Sequence, residues 1–378
     1  MSEIVPPEGN PRIPPIPSLP SISPVPPPLT PQTELFRFNG NGAEYFRIWI
    51  VNLLLSIVTL GIYSAWAKVR RLQYFYGNTE LAGSSFRYEG NPIAILKGRI
   101  IAIILLFAYQ FSSHYSGTAF LVVLALLALV APWLIRSSFR FRLHNSSYRG
   151  LRFRFAGDNA GAYKTFLLYG PFAVFTLYLA APLFHQRLKR YQHGNAYFGK
   201  TPFAFNASVG QFYGAYALVA LLMIGVFVGA FMALGPIFAT IAANAAQHKA
   251  VPPDPAKFGA AIGLAALIVY GGMLFIGPLW LSRIQNLVWN NTSLGAHTFK
   301  STMQARKLFF IFVTNLIAVV FTLGLFAPWA SVRLARYRAE SSSLVLGNGM
   351  DEFIADQEQE MGAVGQETAE FFDIDIGL

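Results

Sequence analysis

The amino-acid sequence predicts a mainly α-helical protein: a multi-pass transmembrane helical bundle built from internal repeats, with short marginal β-strands and disordered termini. Its composition is the first observation, because 54% of the 378 residues are hydrophobic and only 12% are charged, about half the charged fraction of a typical soluble protein. Mean hydropathy is accordingly high, at +0.44. The other two observations are long apolar runs and a short phrase that recurs after several of them.

The apolar runs predict seven membrane-spanning helices, because each is about 18 residues or longer and can cross the hydrocarbon core. The predicted spans are residues 45–66, 97–113, 118–135, 163–184, 211–244, 258–281 and 308–329. Within the fifth, Gly235-Pro236 predicts a kink or an end. Two GxxxG pairs, Gly225 with Gly229 and Gly259 with Gly263, predict close helix packing.

An internal repeat connects these helices. Four apolar runs end in a related phrase, in which a Trp or Leu precedes an Asn by twelve residues and a Phe follows that Asn by eight. We expect these asparagines to stop helices or shape turns; they are Asn78, Asn145, Asn195 and Asn291. The Phe-x-aromatic segments that follow predict short strands. A fifth copy begins at residue 327 and then fades.

The basic residues predict contact with anionic lipids. All but one of the 29 Lys and Arg residues lie between residues 35 and 339, mostly where apolar runs end. This position favours lipid headgroups over nucleic acid. The residues expected to anchor the protein at the lipid interface are Trp66, Arg70, Trp133, Arg136, Arg187, Trp280, Arg283, Trp329 and Arg333, as aromatic belts and snorkelling cations do. The alternative for the arginines is a substrate-reading role.

Composition divides the chain into three regions. Residues 1–33 are rich in proline and predict an extended, disordered tail. Residues 34–340 form the predicted transmembrane domain, and residues 341–378 form an acidic tail without Lys or Arg. Each tail is either a simple tether or the binding site of an unknown protein partner.

The run FRFNGNGAEYFRIWIVNLLLSIVTLGIYSAWAKVRRLQYFYGNTELAGSSFRYEGNPIAILKGR resembles the opening of the YjgN family of bacterial inner-membrane proteins. A weaker resemblance extends through the later repeats to about residue 340. The resemblance implies a multi-pass protein of the bacterial inner membrane. The family has no known function, so the resemblance supplies no catalytic residues.

The search for chemistry predicts neither an enzyme nor a cofactor. The chain has no cysteine, and its six histidines show no metal-ligand spacing. A nucleophile elbow and a phosphate-binding glycine loop are both missing from the sequence. Because no Asp or Glu lies deep within a predicted span, a carboxylate-coupled cation carrier is disfavoured.

Two functional hypotheses remain. The first is a channel or carrier for a neutral or anionic solute, with Thr314 and Asn315 as the best candidate pore residues, although bonding between helices is the preferred explanation for both. The second is a non-transporting membrane component that organises anionic lipids or partner proteins.

The seven predicted spans also imply an orientation. An odd number of crossings places the two termini on opposite sides, with the acidic C-terminus in the cytoplasm because the basic excess is greater on that side. The alternative keeps every basic segment in the cytoplasm, which requires some spans to be re-entrant or broken.

Overall fold

The computed structural model describes residues 32–247, 254–347 and 353–355. Nearly all of the Pro-rich segment 1–33 and most of the acidic segment 341–378 lie outside the described residues, so the predictions for these tails are not addressed further.

The described residues are mainly helical, as predicted. The helices are α1 (Gly42–Val58), α2 (Ser64–Gly77), α3 (Pro92–Tyr115), α4 (Gly117–His144), α5 (Asn159–Tyr163), α6 (Gly170–Phe175), α7 (Ala181–Gly194), α8 (Val209–Ala246), α9 (Pro255–Asn290), α10 (Ala305–Phe321) and α11 (Ala327–Glu340). A π-helical segment, Lys164–Tyr169, joins α5 to α6.

The predicted short strands are present, and they form one continuous antiparallel sheet. The strands are β1 (Thr33–Leu35), β2 (Arg37–Phe38), β3 (Thr79–Leu81), β4 (Ser84–Tyr88), β5 (Ser146–Tyr148), β6 (Leu151–Phe155), β7 (Ala196–Phe198), β8 (Thr201–Phe205), β9 (Thr292–Leu294), β10 (His297–Ser301) and β11 (Ser342–Val345). The sheet order is β1-β11-β10-β9-β8-β7-β6-β5-β4-β3-β2. Because only Phe36 separates β1 from β2, the two edges of the sheet meet and close it into a barrel. The sequence did not predict this closure.

Tight turns join the barrel hairpins at the end away from the helices. Ala82-Gly83 and Arg149-Gly150 all have positive φ, from 45° to 84°. Two consecutive residues with positive φ match the right-handed twist of paired strands. The strands of these hairpins have three to five residues, and the turn between them sends the chain back toward the helices.

A ring of phenylalanines fills the barrel. Four come from the barrel hairpins and the fifth lies between β1 and β2, and neighbouring ring centroids are 6.0 to 6.5 Å apart. The members of this phenylalanine ring are Phe36, Phe86, Phe153, Phe203 and Phe299. Toward the hairpin turns, a small cavity of about 130 Å³ is lined only by aromatic and leucine side chains. Phe353 and Ile354 pack there against the barrel core. The barrel interior is therefore apolar.

The helices form five hairpins that begin and end at the barrel. Two are long, α3 with α4 and α8 with α9; three are short, α1 with α2, α5 to α7, and α10 with α11. Neighbouring hairpins pack against one another, and α11 packs against α1 to close the ring. A Cβ on Gly42 of α1 would overlap the Trp329 indole of α11, so the absence of a side chain at Gly42 permits this closing contact.

The helix bounds correct the predicted spans. Four helices are long and apolar enough to cross a membrane, namely α3, α4, α8 and α9, and these match four predictions. The predicted spans 45–66, 163–184 and 308–329 are instead interrupted after Val58, Phe175 and Phe321. Hydropathy misses the interruptions because the residues that form the turns are themselves apolar.

The strand pairing also corrects the predicted orientation. Thr33 pairs with Val345, and Leu35 pairs with Ser343. The beginning and the end of the described domain are therefore neighbours in one sheet. The arrangement with the two termini on opposite sides of a membrane is wrong for this domain.

Two predictions about helices α8 and α9 are wrong in part, because close packing is found only at Gly229 of the two GxxxG pairs, and Gly235-Pro236 does not end α8. A Cβ on Gly225, Gly259 or Gly263 would meet nothing within 4 Å, whereas one on Gly229 would lie 3.4 Å from Ile268. Helix α8 continues through Pro236 to Ala246, so Gly235-Pro236 does not end it.

Candidate functional site

A cavity of about 490 Å³ lies between the barrel and the helix ring. Its barrel side is aromatic and includes Phe153 and Phe203 of the phenylalanine ring. Its helix side carries Arg142, Lys189 and His193. We call this space the basic cavity. Its amphipathic lining suits a ligand with an anionic group and an apolar part.

The last turns of α4 and α7 bring these polar groups inward. Arg142 lies three residues before Asn145, while Lys189 and His193 lie six and two residues before Asn195. Residues three or four apart share a helix face, so Lys189 and His193 project to the same side of α7. The His193 ring stacks on Phe205, with centroids 5.6 Å apart.

Another cation, Lys68, lies near Arg142. Arg142 is close enough to both Lys68 and Lys189 to lower the pKa of each amine, although burial is the larger cause in both cases. Arg99 lowers the pKa of Lys68 in the same way. We call Lys68, Arg99, Arg142 and Lys189 the basic cluster. They come from four different helices, α2, α3, α4 and α7.

A second cavity, of about 500 Å³, lies beside Lys68 and Arg99. Polar groups of α1 and α2 line it, including Asn52, Ser56 and Ser64. The Asn52 Oδ1 atom is buried without a hydrogen-bond partner. The basic cluster therefore borders two cavities, the basic cavity and this second one.

Four of the seven carboxylates among the described residues have partners outside the basic cluster. Glu89 pairs with Arg152 at 2.9 Å, and Glu80 accepts a hydrogen bond from Asn39. Asp158 and Asp254 cap the N-termini of α5 and α9. The like charges in the cluster are left without an anionic partner among these groups.

His193 is neutral in this environment. Burial, together with the charges of Lys189 and Arg142, lowers its pKa from 6.5 to about 4. Like charges and desolvation both disfavour the imidazolium form. At neutral pH the ring can therefore offer one donor and one acceptor to a ligand without adding charge.

The structure does not bring the predicted interface residues together in one site. Four are exposed on the helix ring: Arg70, Trp133, Arg283 and Arg333. The Arg70 guanidinium lies 5.9 Å from the Tyr63 ring centroid. Arg333 donates a hydrogen bond of 2.8 Å to Asn315 Oδ1, and the Asn315 amide donates to Ala330 O. Asn315 thus bonds between α10 and α11.

The other predicted interface residues pack within the ring. Arg136 Nε donates to Gly157 O at 2.6 Å, and the Arg187 guanidinium lies over the Tyr169 ring. Trp280 meets Tyr216 edge to face, with centroids 4.4 Å apart. The remaining two also contact aromatic rings, and they are Trp66 and Trp329. The sequence alone does not separate these packed residues from the exposed ones.

The four repeated asparagines have one common geometry. Each is the C-cap residue of its helix, and each side-chain amide donates 2.8 Å to the carbonyl four residues earlier. Thr314 also bonds within its own helix, to Phe310 O. Among the described residues, no group of His, Asp or Glu side chains could hold a metal ion.

Sequence reasoning missed the basic cavity. A usable signal was the residue six positions before each repeated asparagine. This position is Leu72 and Phe139 in the first two copies but Lys189 in the third. In the fourth copy this position is Gln285. A cation and an amide in a register that is apolar in the first two copies indicate a polar interior.

The comparisons with known proteins agree with a membrane location. Three relatives are named inner membrane protein YjgN. The one from Escherichia coli (strain K12) is 26% identical over 270 residues, covering 70% of this chain and 51% of the relative. The one from Escherichia coli O157:H7 is 32% identical over 141 residues, covering 35% and 34%. The one from Salmonella typhimurium (strain LT2) is 31% identical over 120 residues, covering 31% and 30%.

The chain thus spans at most about half the length of the relatives it matches. No solved structure is significantly similar to it. With its four apolar helices, the chain is a protein of the bacterial inner membrane. The family model described as "Bacterial protein of unknown function (DUF898)" matches residues 33–371, so the chain belongs to that family.

Proposed function

We propose that this protein binds an anionic amphiphile in the basic cavity. The phosphate of a lipid headgroup and a free phosphate-type anion share the required chemistry. The observation that carries the proposal is the placement of four cations: Arg142 and Lys189 line the basic cavity, and Lys68 and Arg99 line the cavity beside it. No ion pair found among the described residues joins any of the four to a carboxylate. Lys68, Arg99 and Lys189 are half-buried, and Arg142 is exposed. Like charges held close together are unfavourable, and a bound anion would relieve that cost.

The lining of the cavity favours a ligand with an apolar portion. Aromatic side chains line the cavity beside the cations, among them Phe155 of barrel strand β6, Phe139 of α4 and Trp289 of α9. An anion held by the basic cluster would place its apolar part against these rings. This arrangement supports the lipid-binding hypothesis over binding of a small hydrophilic ion.

The apolar barrel argues against an aqueous channel through its centre. The phenylalanine ring lines the small cavity inside the barrel, and that cavity has no polar lining. We therefore propose binding without conduction along the barrel, and without a chemical step. A protein partner for the Pro-rich or acidic segment stays a prediction.

We also propose that the domain consists of five related units. Each unit would contain a helical hairpin, a capped basic helix end and one barrel hairpin. The equal amide bonds of the four asparagines and the five members of the phenylalanine ring support this proposal.

Lipid binding by the purified full-length protein tests the functional proposal. Binding of phosphatidylglycerol, phosphatidylcholine and inorganic phosphate is compared for the wild type and for Arg142→Gln and Lys189→Gln. The matched controls, Arg140→Gln and Arg190→Gln, remove exposed charges from the same two helices.

We expect each cavity variant to bind the anion about tenfold more weakly, because a hydrogen bond to a charged group contributes about 1.5–3 kcal/mol. The controls should bind as the wild type does. Competition by inorganic phosphate alone would identify a free anion as the ligand, whereas selective binding of phosphatidylglycerol would identify a lipid. Equal affinities of cavity variants and controls would refute the site.

A further inference from the structure

The three short hairpins share one turn. Each reverses at a Thr-Leu pair whose leucine has a φ between 49° and 51°; the pairs are Thr59-Leu60, Thr176-Leu177 and Thr322-Leu323. The threonine hydroxyl donates to the carbonyl four residues earlier at 2.7 to 2.8 Å. The same oxygen accepts from the backbone N–H four residues later at 2.9 to 3.1 Å. One side chain therefore bonds to both helices of the hairpin.

These turns satisfy their own backbone donors. Every N–H from residue 59 to 64 donates a hydrogen bond within the turn, and residues 176–181 and 322–327 do the same. A non-helical turn in solvent has no need of such completeness, because water can accept the remaining bonds. In hydrocarbon each unsatisfied donor costs several kcal/mol.

The side chains at the tips are apolar and uncovered. Leu60 and Leu323 are each 94% exposed, and Leu177 is 86% exposed. The last helical residue before each turn, Val58, Phe175 or Phe321, is 78–85% exposed. Three matching apolar tips on one ring of helices indicate a common apolar environment.

A tyrosine fastens the base of each short hairpin. Its hydroxyl donates to the backbone carbonyl of the residue preceding the first helix, at 2.8 to 3.1 Å. The three tyrosines are Tyr74, Tyr191 and Tyr337. Phe141 and Leu287 occupy the matching position in the long hairpins. The tyrosine bond at the base and the Thr-Leu turn at the tip together return each short hairpin to the barrel.

Helix length sets the depth of the tips. Helix α1 has 17 residues and α3 has 24, or about 25 Å and 36 Å at 1.5 Å per residue. Both begin at the barrel, so the α1 tip ends about 10 Å short of the α3 end. Arg70, Arg187 and Arg333 each lie ten residues after the turn leucine. If the two exposed arginines of this set, Arg70 and Arg333, lie at the headgroups, the tips enter a core about 30 Å thick only partway.

We propose that the three short hairpins are re-entrant: their tips insert among the lipid acyl chains of the leaflet nearest the barrel and do not cross the membrane. The two long hairpins cross it. Among the described residues, Lys257 is the basic residue at the far ends of the long hairpins. The positive-inside rule therefore places the barrel in the cytoplasm.

Single cysteines test this proposal, since the chain has none of its own. The tip variants are Val58→Cys, Phe175→Cys and Phe321→Cys in the full-length protein. Tyr115→Cys, at the α3–α4 turn, is the control for the far side, and Ala296→Cys, at a barrel turn, is the control for the cytoplasm. A membrane-impermeant maleimide is applied to intact cells and to inverted vesicles. Each variant is also labelled with a fluorophore and reconstituted with lipids brominated at mid-chain.

We expect Tyr115→Cys to react from outside and Ala296→Cys from inside. The tip cysteines should react at least about tenfold more slowly from both sides, because an apolar environment suppresses the thiolate. Brominated lipids should quench fluorophores at the tips and leave Ala296→Cys unchanged. Rapid labelling of a tip from outside would refute the re-entrant arrangement. A shielded but unquenched tip would show a protein cover instead of lipid and would equally reject the proposal.

Discussion

His193 shows how a single residue in the basic cavity depends on its charged neighbours. Lys189 and Arg142 add to burial in keeping its imidazole neutral. This differs from the sequence, in which no pattern marks His193 as a buried, neutral group. The difference arises because Arg142 is 51 positions away in the chain, so the electrostatic environment of His193 exists only once α4 and α7 are side by side.

The depressed pKa of His193 predicts a pH dependence of stability. A folded-state pKa of about 4 against 6.5 when unfolded means that the unfolded state binds the proton first. Stability should therefore be complete above pH 6.5 and decrease as the pH falls toward 4, by at most about 3 kcal/mol. Thermal melting at several pH values measures this loss.

The variant His193→Phe provides the comparison for this prediction. Phenylalanine keeps the ring contact with Phe205 and cannot bind a proton. His185, whose pKa burial also lowers, stays in both proteins and contributes equally. The wild type should lose more stability than the variant between pH 6.5 and 4; parallel curves would contradict the assignment.

At the scale of the helices, packing depends on a glycine that the sequence motifs did not identify. A Cβ on Gly272 of α9 would overlap Val226 of α8, whereas one on the neighbouring Gly271 would meet nothing within 4 Å. GxxxG spacing indicates where close approach is permitted. It does not say which helix face meets a partner, since that depends on the rotation of each helix about its axis.

This contrast gives a matched pair of substitutions. Gly272→Leu should destabilise the α8–α9 hairpin by about 1–3 kcal/mol, because the added side chain overpacks the interface. Gly271→Leu makes the same change in side-chain volume and helix propensity, but its side chain would enter open space. Its destabilisation should therefore be much smaller. Denaturation of the two variants in detergent measures the difference, and equal losses would argue against the close contact.

Across the whole molecule, the sequence predicted the helices and the short strands. These follow from local signals, namely apolar length, alternating aromatics and the asparagine register. It did not predict closure of the barrel, because β1 meets β11 across more than three hundred residues. The interruptions of three helices were also missed, since a Thr-Leu turn is as hydrophobic as the helices beside it.

Because β11 closes the barrel by pairing with β1, shortening the chain before β11 should have a measurable effect. A protein ending at Glu340 would lose β11, leaving the edges of β1 and β10 unpaired, and exposed edges favour aggregation. A protein ending at Ala355 keeps β11 together with Phe353 and Ile354, which pack on the barrel core. We therefore expect the longer form to elute from size-exclusion chromatography as the full-length chain does, and the shorter form to aggregate. A monodisperse protein ending at Glu340, with unchanged melting, would mean that the barrel is stable without its closing strand.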